Sequence, residues 1–303
     1  MKRKAVLFLV MLLSAGCVSR LTHVHPSSTV HSLVESQLIE QTLGLSGTTT
    51  DGVLKVTKPR QDLPIMVDGF PITPRMGLTA WMAFVPHGNQ TMLMGDLPLA
   101  EDELQPVLST LMAHGLEVSA LHNHFLGDEP PVMFLHVGGM ADAATLARGL
   151  RATWDVIERL RQQKPLPRQA AAPTTTFDPA KLESILGVKG DLKDGVFKVT
   201  MPRPNVQLLE HGVPITSAMG FNSWAAFQGT EDRAAVSGDF AMLASEVTGV
   251  IRELRAANID VVALHNHMLE EAPRIFFVHF WGVGRADDLT SGLRRALNLM
   301  DQR

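Results

Sequence analysis

Along this chain apolar and polar positions alternate in short runs, shift to a helical period, and then run through the same succession again. After the turn signal Asp51-Gly52, residues 52–56 alternate in the manner of a half-buried strand. Residues 65–67, 78–85 and 91–94 are further short β-like runs, separated by Gly, Pro and Asn. Over residues 101–114 the period changes: Leu104, Val107, Leu108 and Leu111 fall at helical spacing, acids occupy the first turn and Gly115 stands just past the end. Two apolar runs follow, 118–126 and 132–137, and then a closing helix over 142–161 with Leu146, Leu150, Trp154 and Ile157 on one stripe. The order of four strands, helix, two strands and helix predicts an α+β fold, mostly antiparallel.

The second run-through keeps an offset of 143 residues without insertion over most of its length. Leu43-Gly44 returns as Leu186-Gly187, Pro59-Arg60 as Pro202-Arg203, Trp81 as Trp224 and Gly95-Asp96 as Gly238-Asp239. Such a register is a duplication, and each copy is too long for a solenoid unit, so two domains are expected, over 33–161 and 177–301. Between them, residues 162–176 contain Lys164-Pro165-Leu166-Pro167 and an Ala/Pro/Thr run that reads as an extended linker.

Composition agrees with a folded body: 303 residues, 45% hydrophobic and 19% charged. The first 17 residues read as an export signal, with Lys2, Arg3 and Lys4 before an apolar run at 5–13 that is too short to span a bilayer. The run closes on Leu13-Ser14-Ala15-Gly16-Cys17, which resembles the bacterial lipobox and makes Cys17 the expected lipidation site. Residues 18–32 then read as a tether. Cys17 is the sole cysteine, which excludes an intramolecular disulfide. Without the signal the 27 basic residues fall to 24 against 31 acidic, a balance that disfavours general nucleic-acid binding. The expectation is a protein exported to the bacterial cell envelope and attached to the membrane by its N-terminal lipid.

The candidate chemistry lies in Ala120-Leu121-His122-Asn123-His124, repeated as Ala263-Leu264-His265-Asn266-His267, with His136 and His279 following at one spacing. If runs 118–126 and 132–138 pair as a hairpin about Pro130, His136 faces His124 with Cβ atoms about 5 Å apart, and His122 shares their face. Asp128 has the same parity, and its counterpart is Glu271. Three imidazoles and a carboxylate suit a divalent transition metal, zinc first, once in each copy. Crowding three histidines without an ion would desolvate polar rings that have few partners.

Other repeated polar residues have structural and functional readings side by side. Arg60 and Arg203 could hold an anionic ligand or an ion pair. Glu103 and Glu246 open a helix, where they favour its dipole, and are the candidates for a general base. Asp96 and Asp239 follow glycine and read first as turn residues, second as support for a metal site.

The runs Lys55-Val56-Thr57-Lys58-Pro59-Arg60, Met94-Gly95-Asp96, residues 120–126 and Phe134-Leu135-His136 resemble the LppY/LpqO family of bacterial lipoproteins, across both copies from 33 to 299. That resemblance implies a domain of unknown function, commonly in two copies, together with export and lipidation; it implies no substrate or reaction. Three functions are therefore expected as alternatives: a metal-binding envelope lipoprotein, a metal-dependent hydrolase or lyase, and a structural lipoprotein whose histidines bond backbone.

Overall fold

The computed structural model describes residues 26–167 and 174–300; the expected signal, Cys17, the first part of the tether and the middle of the linker lie outside the described residues. Two α+β copies are present. In the first, α1 (Pro26–Leu43) is followed by β1 (Gly47–Thr50), β2 (Val53–Pro59), a small hairpin of β3 (Met66–Val67) and β4 (Phe70–Pro71), then β5 (Thr79–His87) and β6 (Gln90–Ala100). Then come α2 (Glu101–Ala113), β7 (Glu117–His122), β8 (Val132–Ala141) and α3 (Ala143–Gln163). The second copy repeats the order as α4 (Pro179–Leu186), β9 (Gly190–Lys193), β10 (Val196–Pro202), the hairpin β11 (Leu208–Glu210) and β12 (Val213–Ile215), then β13 (Asn222–Gly229) and β14 (Ala234–Leu243). It closes with α5 (Val247–Ala256), β15 (Asp260–His265), β16 (Ile275–Gly284) and α6 (Ala286–Asn298).

Each copy builds one six-stranded antiparallel sheet, in the order β1-β2-β5-β6-β8-β7 and its counterpart β9-β10-β13-β14-β16-β15. Helices cover one face. In the first copy Ile39 and Leu43 of α1, Val107 and Leu111 of α2, and the stripe Leu146, Leu150, Trp154 and Ile157 of α3 join Val56, Met82, Leu97 and Leu135 of the sheet in a single core. The opposite face meets the other copy. Leu63, Ile65, Val67 and Phe70 around the β3–β4 hairpin pack with Val196, Ala226 and Ala235 of the second sheet, and Leu208, Val213 and Ile215 reciprocate on Val53, Ala83 and Met92 of the first. The architecture is helices, sheet, sheet, helices, with two of the four cores shared between the copies.

Three expectations change. The stretch read as a tether is helical from Pro26, and each copy opens on a helix, α1 or α4, that periodicity does not announce. The reason is visible in the packing: α4 buries only Leu182 and Leu186, and the corresponding Ile39 and Leu43 are the buried residues of α1 among its described side chains, one turn's worth of signal in each. β6 continues well past Met94 to Ala100, because Gly95 and Asp96 lie in mid-strand and not at a turn. A Cβ on Gly95 would stand 2.6 Å from the carbonyl oxygen of Trp81, so glycine is needed there to let β5 and β6 pair.

Candidate metal centre

β7 is an edge strand and stops at His122, four residues before the end of the expected run. A bulge between Val118 and Ala120 resets its pairing, so that Ala120 opposes His136 and His122 opposes Phe134. The register is thus four residues away from the expected pairing of His124 with His136. His124 lies beyond the strand, and its ring stacks flat on Phe134 at 3.3 Å between centroids. The second copy does the same: Ala263 opposes His279, His265 opposes Phe277, and His267 stacks on Phe277 at 3.5 Å.

The larger correction concerns number. The trios do not make two separate sites; the six rings form one cluster between the sheets. His122 stacks on its own counterpart His265 at 3.8 Å, His124 meets His279 at 3.7 Å and His136 meets His267 at 4.0 Å. Within a copy the rings are farther apart, 4.8 Å for His122 and His136 and 5.3 Å for His122 and His124. The groups whose ligand atoms lie within 4.8 Å of one another mix the copies, as His122, His136 and His265 and as His122, His124 and His279.

The carboxylates at this cluster are Asp96 and Asp239, which oppose His136 and His279 across β6–β8 and β14–β16. Asp96 lies 3.8 Å from His124 Nε2 and 4.0 Å from His136 Nε2, and Asp239 lies 3.6 Å and 3.9 Å from the corresponding atoms of His267 and His279. None of these is a hydrogen-bond distance. Eight ring nitrogens, including both of His124 and both of His265, and one oxygen of each aspartate are buried without a hydrogen-bond partner among the described residues. Burial, and then the neighbouring rings, push the imidazoles down from their ordinary value, His122 to about 4 through burial, so the rings are neutral at pH 7. Burial pushes Asp96 up to about 8, and burial with the adjacent Asp96 pushes Asp239 well above its ordinary value.

The other expected site residues are engaged elsewhere. Asp128 accepts from Val132 N at 2.8 Å and Glu271 accepts from Ile275 N at 3.3 Å, so both close their hairpin loops and neither joins the imidazoles. Their parity was counted along a strand that ends at His122 and His265. Glu103, fully buried, takes three bonds from the Arg60 guanidinium and one from Ala100 N at 2.9 Å. Glu246 takes two from Arg203 and one from Leu243 N. These pairs pin a helix start to β2 and β10. None of the four residues lines the cleft described next, so neither the base expected at Glu103 and Glu246 nor the ligand contact expected at Arg60 and Arg203 has a place there. Asn266 donates to Ile275 O at 2.5 Å.

A cleft of about 420 Å³ opens onto the cluster from between the sheets, with Asp96, Asp239, His124, His267 and His279 in its lining. Its walls are Trp81 and Trp224, each packed on a glycine of the other copy: a Cβ on Gly220 would lie 2.8 Å from Trp81, and one on Gly77 3.4 Å from Trp224. Sequence reasoning passed over Trp81 and Trp224 as site residues and placed Asp96 and Asp239 in turns. The available signal was that each sits at the repeat offset in the same cross-strand row as a histidine, Thr57–Trp81–Asp96–His136–Ala120 and its copy.

A family model described as Domain of Unknown Function (DUF1259) matches residues 37–156 and again 180–299. The chain belongs to that family, with two tandem copies. The two DUF1259 matches lie within the two structural repeats, and each carries one histidine trio and one of the two aspartates beside the cluster, Asp96 or Asp239. No curated protein matches the chain. Among solved structures, a trimeric bacterial microcompartment shell protein, PduB, is similar at 9% identity and a TM-score of 0.22, covering 85% of this chain and 91% of that one. EtuB from Clostridium kluyveri is similar at 9% identity and a TM-score of 0.19, covering 83% and 88%. Neither similarity bears on the site.

Proposed function

We propose that this protein binds a divalent transition metal, zinc first, at one composite centre to which both DUF1259 copies contribute histidines. The observation that carries the reading is the set of eight buried ring nitrogens without partners, drawn from six imidazoles. Buried polar atoms are hydrogen-bonded as a rule, and a bound ion would take up to four of these nitrogens as ligands. The donor set fits: neutral imidazoles are good ligands for zinc, and Asp96 and Asp239 would supply the two negative charges that balance one divalent cation in a largely buried site.

The N-terminal signal, Cys17 and the resemblance to the LppY/LpqO lipoproteins support an exported, lipid-anchored setting for this centre. In cells that make the protein, Cys17→Ser is expected to move it from the membrane to the soluble fraction; unchanged membrane association would remove the anchor from the proposal. Because a solvent-connected cleft reaches three of the histidines, a second reading is metal-dependent hydrolysis or lyase chemistry, in which a bound ion would activate water.

Elemental analysis of the purified soluble body, and its titration with zinc, copper, nickel, iron and manganese, tests the metal. A centre shared between the copies predicts that His122→Ala, the residue common to both ligand groups, empties the whole molecule, whereas independent sites in each copy would leave half of the metal bound. Protein that retains no metal and takes up none sinks the proposal.

A further inference from the structure

The same cleft carries cations that a metal does not need. β2 and β10 present Lys55 and Lys198 to it, on the sheet face that also bears Trp81, Asp96 and their counterparts. Lys55 Nζ lies 4.6 Å from the Trp81 ring centroid and Lys198 Nζ 4.2 Å from that of Trp224. Neither ammonium has a carboxylate within ion-pair distance among the described residues. Arg75 is the third cation, paired at 2.6 Å with Asp191, whose side chain is 68% exposed. Burial and then the charges of Arg75 and Lys55 lower the pKa of Lys198 to about 8, against a raising contribution from Asp191. Like charges gathered in a half-buried place cost stability, and in a chain of net charge −4 they are not a general surface property.

We propose that this cleft binds a small organic oxyanion, a carboxylate or phosphate compound. Its charge lies between Lys55, Lys198 and Arg75, its body lies against the indoles of Trp81 and Trp224, and a donor atom points toward His124, His267 and His279. The volume of about 420 Å³ falls in the range of small-molecule sites, roughly 300–1,000 Å³. Only the last contact rests on the metal reading; capture by the lysines does not.

The test is isothermal titration of metal-free and zinc-loaded protein with inorganic phosphate, succinate and phenyl phosphate. Saturable binding of at least one organic probe is expected, tighter than inorganic phosphate. Lys55→Met/Lys198→Met, which keeps the hydrocarbon stems on the indoles, is expected to weaken it by about tenfold or more with an unchanged or higher Tm, the loss of a charge-assisted contact. Lys198→Arg is expected to retain it. Absence of saturable binding by every probe in both metal states, or equal affinity in the double variant, overturns the inference. Protein that holds stoichiometric metal and no oxyanion would overturn it while leaving the metal centre standing. Oxyanion binding without metal supports it and leaves only the metal centre refuted.

Discussion

Lys198 has two unusual properties for a lysine, burial among other cations and a pKa lowered to about 8, and both are visible to chemistry. At pH 8 about half of its amines are neutral, so an acetylating reagent should label it ahead of Lys181, whose pKa is raised by hydrogen bonds to Asp287 and Glu231. Peptide mass spectrometry after brief labelling would read the order, and preferential labelling of Lys181 would contradict it. Glu103 is the opposite kind of residue, its contacts being those that hold the Arg60 guanidinium and the start of α2. Glu103→Ala leaves the Arg60 guanidinium, 1% exposed, with only Asp62 and backbone as partners, at a cost of about 3 kcal/mol in urea unfolding. Metal content at saturation should be unchanged; its loss would bring Glu103 back into the site.

At the scale of elements, the central strands β6 and β14 organise the molecule. They are buried on both faces, helices on one side and the other copy on the other, and so carry near-continuous apolar sequence with one aspartate each. Gly95 and Gly238 are what allow this: Cβ atoms there would meet the Trp81 and Trp224 carbonyls at 2.6 Å and 2.5 Å. Gly95→Ala is expected to cost about 1–3 kcal/mol by forcing β5 and β6 apart, and to lower metal affinity because Asp96 moves with the strand. Unfolding midpoints together with a zinc titration check both halves, and wild-type values for both would show that the strand pair absorbs the methyl group. Within these elements the helices over 101–114 and 142–161 were legible from their stripes. The β7–β8 register was not, since it depends on a bulge and on where an edge strand stops, neither of which leaves a mark on hydrophobic periodicity.

For the whole molecule, the surface on which the copies meet is partly made of titratable rings, and this sets its pH response. The six imidazoles have depressed pKa values, so their contribution to stability is present above their ordinary value of 6.5 and is lost as pH falls below it. Asp96 and Asp239 are raised, so their contribution is present at low pH and is lost as pH rises from about 4 toward 8. Six groups outweigh two below pH 6.5, and from there to about pH 8 the two aspartates lower the stability as pH rises. Metal-free protein should therefore be most stable near pH 6.5, and zinc should extend that stability upward by holding the aspartates ionised. Urea midpoints between pH 4 and 9, with chelator and with zinc, would show it; a metal-free profile that is flat below pH 6.5 would contradict the buried neutral cluster.

The sequence by itself determined the duplication, the α+β class, the apolar faces of the longer elements and the six histidines as the residues of interest. All of these are written in spacing along one dimension. Only the tertiary structure decided that the two trios interleave, that Asp96 and Asp239 stand beside them in place of Asp128 and Glu271, and that Lys55 and Lys198 share a cleft with Trp81 and Trp224. The physical reason is that the ring contacts between the copies join residues 131 to 155 positions apart, through packing of two sheet faces whose mutual placement no local period encodes.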